Sequence, residues 1–324
     1  MDIIGSILWP IKWVIEAILV AFHWVFTSIG LDPDAGTTWV LSIVGLVLVV
    51  RAALIPIFVK QIKSQRRMLE VAPQLKKIQD KYKGKKDQFS REAMSRETME
   101  MYKKTGTNPL SSCLPLLLQM PIFFGLFSVL QNAQHEGVGV GLLSKELSQS
   151  FGEAIFFSAP LKLAISTAGE AADVVGASTV SVIVIASVMV VLMTASQFIT
   201  QLQIMSKNQS PEMKSSPMYK QQRMLLYVLP FVFLFSGFTF PLGVMFYWLV
   251  SNFWTMVQQF IVIRNMPTPG SEAALAREAR LAKKNRRRGI TIIEDDAPEQ
   301  IEEPKTTQRS QPVNSKKRKK KKKR

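Results

Sequence analysis

Cysteine and histidine are almost missing from this chain, which has one cysteine, Cys113, and two histidines, His23 and His135, in 324 residues. Cys113 lies within an apolar run, so a disulfide framework and a thiolate metal cluster are excluded. The histidines stand far apart, so no zinc-type constellation exists and no metal is expected. No Gly-rich phosphate loop occurs and no nucleotide fold is evident, so no cofactor is expected. No internal repeat stands out, nor a pair of interrupted helices of transporter type. Carboxylates are nearly absent from the long apolar runs, and that scarcity shapes the rest of the reading.

What is present is an apolar chain with a strong positive charge. It is 47% hydrophobic yet carries a formal charge of +17, so apolar and basic residues must be segregated along it. The central stretch is Trp39 to Val59, WVLSIVGLVLVVRAALIPIFV. As a helix it is about 31 Å long, enough to cross a bilayer core. Arg51 sits inside that run with only apolar residues within four positions on either side. A charge at that depth costs roughly 2.5–3.5 kcal/mol on insertion scales, so it should face protein or water. Snorkelling would have to reach past Pro56 to the level of Lys60, and no other apolar run offers a carboxylate at matching depth. Arg51 therefore reads as a functional, water-exposed cation.

Residues 3–29 are apolar except for Lys12, Glu16 and His23, which fall within about 40° of one another on a helix. A narrow polar stripe flanked by Trp9, Trp13 and Trp24 suits a helix lying in the membrane interface. A first spanning helix is the competing reading. Residues 60–106 carry 14 basic residues against six acids, which places them in the cytoplasm by the positive-inside rule. Met68, Val71, Leu75, Ile78 and Tyr82 recur at 3-4-3-4 spacing, the seam of an amphipathic helix. Gly84 breaks it, and a second helix from about Gln88 to Lys104 completes a cytoplasmic hairpin, with Asn108-Pro109 as cap and first turn of the next helix.

A second span, 110–131, carries Gln119 near its middle between Pro115 and Pro121. Residues 132–177 are net acidic and fit the outer side, with Ala154 to Ile165 too short to span and suited to dipping into the interface. A third span runs from about Ser178 to Thr200 with Thr194, Ser196 and Gln197 toward its cytosolic end. Met224 to Phe260 reads as two more spans joined near Ser236 to Pro241, the last bearing Tyr247, Trp248, Ser251 and Asn252 as a polar-aromatic stripe. Methionines such as Met120, Met189, Met193 and Met245 are usual gap fillers; lining an adaptable surface is the sharper use. Residues 264–324 hold 19 basic and eight acidic residues and cannot build a core. Such a tail binds phosphate without reading sequence, whether ribosomal RNA or anionic lipid.

The ordered set VRAALIP, MLEVAPQLKKIQDKYKGKKDQ, TGTNPLSSCLPLLLQMPIFFGLF and FPLGVMFYWLVSNFWTMVQQ resembles the YidC-type membrane protein insertases, over roughly residues 7–265. The resemblance implies an all-α polytopic membrane protein. It implies a five-helix transmembrane core, an N-terminal interfacial helix on the outer side, and a cytoplasmic helical hairpin. It also implies a hydrophilic groove open to cytosol and lipid, closed outside, with Arg51 at its centre. Gln119, Met120, Phe123, Gln197, Tyr247, Trp248, Ser251 and Asn252 are the expected groove residues. The large extracytoplasmic domain of some relatives is expected to be absent, as in the Gram-positive branch. No lipobox cysteine supports a lipid anchor, and Val47 stands where some relatives carry a groove hydroxyl.

The expected organisation is 1–30 as the interfacial (or first membrane) helix, 31–263 as the core, and 264–324 as a basic cytoplasmic tail. The core includes the hairpin 60–106 and the outer segment 132–177. Expected partners are nascent membrane proteins, the Sec translocon, and ribosomal RNA or anionic lipid. Lys76, Lys77, Lys85, Lys86, Arg286, Arg287, Arg288, Lys319 and Lys320 would make the phosphate contacts. The expected place is the bacterial plasma membrane with the C-terminus cytoplasmic. Covalent catalysis is not expected: Ser111, Ser112 and Ser251 have no membrane histidine or lysine to activate them as a protease nucleophile. A secondary transporter is the alternative function.

Overall fold

The computed structural model describes residues 3–85, 87–107, 114–135, 139–209, 211–214 and 217–288. Eleven helices follow one another among them: α1 (Ile3–Ser28), α2 (Gly36–Glu70), α3 (Ala72–Lys81), α4 (Gln88–Thr105), α5 (Leu114–His135), α6 (Lys145–Glu153), α7 (Thr179–Leu202), α8 (Pro211–Lys214), α9 (Pro217–Thr239), α10 (Leu242–Asn265) and α11 (Glu272–Arg287). Two short strands, β1 (Ile155–Phe156) and β2 (Ala159–Pro160), and a 3-10 helix (Ile165–Asp173) lie between α6 and α7. One compact unit extends to Ala279; a second begins at Arg280 and contains the end of α11.

The chain is an all-α membrane protein. Among the described residues Leu8–Ser28, Gly36–Ser64 and Thr179–Lys207 are long and apolar enough to cross a bilayer, and Leu226–Thr239 is a shorter apolar stretch. At 22 and 24 residues, α5 and α10 also have spanning length, about 33 and 36 Å. Polar side chains such as Gln119, Ser251 and Asn252 interrupt their hydropathy. α10 packs against both α2 and α7, α9 packs on α7, and α1 lies along α2 and α5. A single apolar core joins them, with Leu19, Trp39, Ile43, Leu46, Leu130, Met193 and Met245 fully enclosed.

α2 runs through Pro56 without a break and stops at Val71. Pro73 explains the stop, because in the first turn of α3 it lacks the N–H that would have extended the preceding ladder. The expected seam is therefore split between two helices. Val71, Leu75 and Ile78 pack with Met101 and Tyr102 of α4 into a small separate core. Tyr82 instead ends α3 and lies beneath the ammonium groups of Lys81 and Lys85, at 5.3 and 5.5 Å from the ring centre. The Met68 side chain and Asn108-Pro109 lie outside the described residues. Asp87 caps α4 by accepting from the Ser90 N–H at 2.8 Å, and Gly106 ends it at φ 62°, a left-handed conformation that favours glycine.

The end of the bundle away from the hairpin is closed by the segment between α5 and α7. Ala154 to Ile165, expected to dip into the interface, begins with a hairpin of two short strands, Ile155 paired to Pro160 and Phe156 to Ala159. Phe157 and Ser158 both take positive φ at its turn. The chain beyond β2 then covers the start of α10, which has no side-chain cap. The Leu242 and Gly243 N–H groups donate to the Leu163 and Leu161 carbonyls at 2.9 and 3.0 Å, satisfying donors a helix start leaves free.

The α1 stripe faces inward rather than toward an aqueous interface. Glu16 is buried and accepts from the backbone N–H groups of Val140 and Gly141 at 2.8 and 2.7 Å, and from Leu143 at 3.4 Å. His23 is buried too; its Nε2 donates to the Pro33 carbonyl at 2.9 Å and its ring stacks on Trp39 at 4.1 Å. Trp9, Trp13 and Trp24 are exposed. The reason is chemical: a loop crossing the bundle end carries N–H groups that must be satisfied, and Glu16 supplies the acceptor.

Candidate functional site

Arg51 is half-buried on α2. No carboxylate pairs with it among the described residues, and Tyr247 of α10 is its ionisable neighbour. Gln119 of α5 donates from Nε2 to the Tyr247 hydroxyl at 3.0 Å, so three helices contribute to one polar locus. Tyr247 is 3% exposed, whereas Gln119 is half-buried and Met120 is open at 40%. The phenol is thus held at the floor while the cation and amide stand nearer the surface.

On one side of this locus lies an aromatic wall. Phe123 stacks on Trp248 with centroids 5.2 Å apart and planes 12° from parallel. Phe127 meets Phe240 edge-on at 5.5 Å, and Phe240 meets Trp248 at 5.1 Å. Because α5 runs toward the closed end and α10 away from it, Phe127 and Phe240 lie beyond the Gln119–Tyr247 level on that side. The wall and the 161–164 segment seal that end.

Toward the other end, polar atoms lack protein partners. Ser251 Oγ and Asn252 Nδ2 on α10, Gln61 Nε2 on α2 and Gln203 Oε1 at the end of α7 are buried without a hydrogen bond among the described residues. Buried polar atoms are normally satisfied, so each of these positions suits a water or a passing polar group. Gln61 and Gln203 escaped the sequence reading. The signal for Gln61 was its register: Leu54, Phe58 and Gln61 follow Arg51 on one helix face.

Gln197 is not brought to this locus; with Thr194, Gln201, Leu226 and Pro230 it lines a narrow cleft between α7 and α9. Val47 is fully buried in the core rather than lining the groove. Met189, Met193 and Met245 are likewise core fillers, so the adaptable-surface use applies to none of them. Ser196 and Thr200 bond back to carbonyls of their own helix, Met193 and Ser196, at 3.0 and 2.8 Å.

The basic candidates on the hairpin, Lys76, Lys77 and Lys85, are exposed, as are Arg286, Arg287 and Arg288. Lys86, Lys319 and Lys320 lie outside the described residues. Lys81 bridges to Glu97 of α4 at 2.9 Å. Its hydrogen bond holds the Glu97 carboxyl below the ordinary carboxylate range and raises the Lys81 ammonium above its own. The Ser90 N–H likewise lowers Asp87.

A family profile described as 60Kd inner membrane protein matches residues 30–269. The chain belongs to the YidC-type insertase family. A protein of Tropheryma whipplei (strain Twist) named membrane protein insertase YidC is 44% identical over 287 residues, 88% of this chain and 93% of that one. One of the same name from Streptomyces avermitilis is 46% identical over 287 residues, 87% of this chain and 64% of its own. A third, from Bifidobacterium longum, is 35% identical over 326 residues, covering 96% and 94%. The YidC match takes in α2 through α10, the helices that carry Arg51, Gln119 and Tyr247.

Proposed function

We propose that this protein inserts small membrane proteins into the bacterial plasma membrane, using the Arg51–Gln119–Tyr247 locus as a polar half-path. The observation that carries the reading is the Gln119–Tyr247 bond beside Arg51, which has no carboxylate partner among the described residues, inside a bundle whose one end is sealed by aromatics. An insertase need not make or break a bond. It must lower the cost of moving a short polar flank while an apolar segment partitions into lipid. A watery half-cavity shortens the distance the flank crosses in low dielectric, and Arg51 attracts a carboxylate within it. The segment leaves sideways, driven by burial of about 25 cal/mol per Å² of apolar surface.

The charge of residues 60–106 supports a cytosolic hairpin, with the groove's open end on that side and the C-terminus cytoplasmic. The α3–α4 surface and the basic tail suit phosphate of ribosomal RNA or anionic headgroups, and a larger translocon could share substrates. Nascent membrane proteins are the substrate class. A photoreactive residue at Gln119 or Asn252 should crosslink to a stalled single-span substrate, and one at the exposed Val191 or Phe231 should not. Equal labelling at all four positions would sink the groove reading. Truncation after Arg264 should weaken salt-sensitive ribosome co-sedimentation in detergent without changing post-translational insertion. Unchanged co-sedimentation would move the docking role to the hairpin.

A further inference from the structure

A second cleft, of about 470 Å³, opens at the sealed end of the bundle, away from the groove. That volume lies in the range of small-ligand sites. Its walls are Phe127 of α5, Phe240 of the α9–α10 turn, and Lys162, Thr167 and Glu170 of the covering segment. The local structure explains why these side chains meet. Residues 160–163 form a turn closed by the Leu163 N–H donating to the Pro160 carbonyl at 3.1 Å, and with Leu161 and Leu163 buried it is Lys162 that stands partly exposed in the cleft wall. In the following 3-10 helix Ala168 and Ala171 are buried, and residues three apart eclipse, so Thr167 and Glu170 share another face.

Lys162 and Glu170 thus line one cleft with opposite charges, yet neither makes an ion pair among the described residues. The cleft also stands at two helix termini, the end of α9 at Thr239 and the start of α10 at Leu242, which in a bilayer crossed by both helices would lie near the headgroups. Below it, Phe231, Leu234, Phe235 and Phe238 form an i, i+3, i+4, i+7 stripe on α9, each more than half exposed. That stripe leads directly up to Thr239 in the cleft wall.

We propose that this cleft binds the headgroup of a zwitterionic aminophospholipid in the leaflet opposite the hairpin. The phosphate sits on Lys162 and the terminal ammonium on Glu170, with the acyl chains along the α9 stripe. An ammonium on Glu170 and a phosphate on Lys162 supply the partners that neither side chain finds in the protein. A lipid with an anionic headgroup satisfies Lys162 alone. Nothing in this requires the groove to work as described above, and its test uses no insertion assay.

The test is native mass spectrometry of the full chain in detergent. It is titrated with palmitoyl-oleoyl phosphatidylethanolamine, with the matching phosphatidylglycerol, and with free O-phosphoethanolamine as competitor. The ethanolamine lipid should bind about tenfold more tightly than the glycerol lipid, the scale of one charge-assisted hydrogen bond. Glu170→Gln should bring the two lipids level, Lys162→Gln should weaken both, and Lys145→Gln outside the cleft should change neither. Equal binding of the two lipids by the unsubstituted protein would overturn the proposal even if a variant misfolded. So would a preference that survives Glu170→Gln, or displacement of the lipid by equimolar O-phosphoethanolamine, which would make this a small-zwitterion site. Crosslinking of a Thr167 probe to a nascent chain in preference to lipid would also overturn it.

Discussion

Glu16→Ala removes the carboxylate that hydrogen-bonds α1 to the loop after α5. Two short bonds, to the Val140 and Gly141 N–H groups at 2.8 and 2.7 Å, are lost with a longer one to Leu143. Each donor left buried without a partner costs about 1–3 kcal/mol, so the two short bonds alone put the loss at roughly 2–6 kcal/mol. For a domain of this size each kcal/mol lowers the melting temperature by about 2–4 °C. The expected drop is therefore roughly 5–20 °C, read as loss of the monodisperse gel-filtration peak after heating in detergent. Glu16→Gln keeps one acceptor oxygen but turns an NH₂ toward the loop, so about half that drop is expected. Lys12→Ala lies on the same helix face and makes no such bond, and should stay within about 2 °C. If Glu16→Ala melts within about 1 °C of the unsubstituted protein, the carboxyl does not anchor the loop.

Three further outcomes follow from the same geometry. Gln61→Leu should raise the melting temperature by about 2–6 °C, because it removes a buried amide lacking a partner, while slowing insertion; faster insertion would show that the polar atom has no part in the path. Phe123→Ala should open the aromatic wall, so that a cysteine at Gln119, in a Cys113→Ser background, becomes reactive to a membrane-impermeant maleimide added from the sealed side. Persistent protection there would place the seal elsewhere. The hairpin should loosen in acid: Glu97 and Asp87 have depressed carboxyl values, so their contribution is full above the ordinary carboxylate range and is lost as pH falls through the lowered values. Amide exchange in residues 88–105, corrected for its intrinsic pH dependence, should rise on acidification and should do so less in Glu97→Gln.

The helices were legible because membrane spans announce themselves by length and hydropathy, and because the connection near Ser236 to Pro241 separates α9 from α10. Arg51, Gln119 and Tyr247 stood out as polar groups in apolar helices, which bilayer physics penalises unless they meet. What was hidden depended on tertiary contacts. The α1 stripe looked like a face for water because sequence cannot show that Glu16 and His23 find backbone partners in loops about 120 and 10 residues away. Gln197 was expected in the groove, yet its place on α7 turns it toward α9. The β1–β2 hairpin was missed because two-residue strands leave no periodicity and its turn residues, Phe157 and Ser158, are not the usual glycine or asparagine.

Arg51 carries the central claim, and its charge can be tested apart from its shape. At 4 Å and an effective dielectric of 20 a carboxylate gains up to about 4 kcal/mol from such a cation, before desolvation of both groups takes back part of it. A net gain of about 1.4 kcal/mol would still be tenfold in rate. The measurement is insertion of one single-span substrate into proteoliposomes, made with an acidic or a neutral translocated flank. Arg51→Lys should insert both within about threefold of the unsubstituted protein, whereas Arg51→Ala should lose about tenfold for the acidic flank and little for the neutral one. Equal rates for the alanine and lysine variants, or an equal loss for both flanks, would contradict the account.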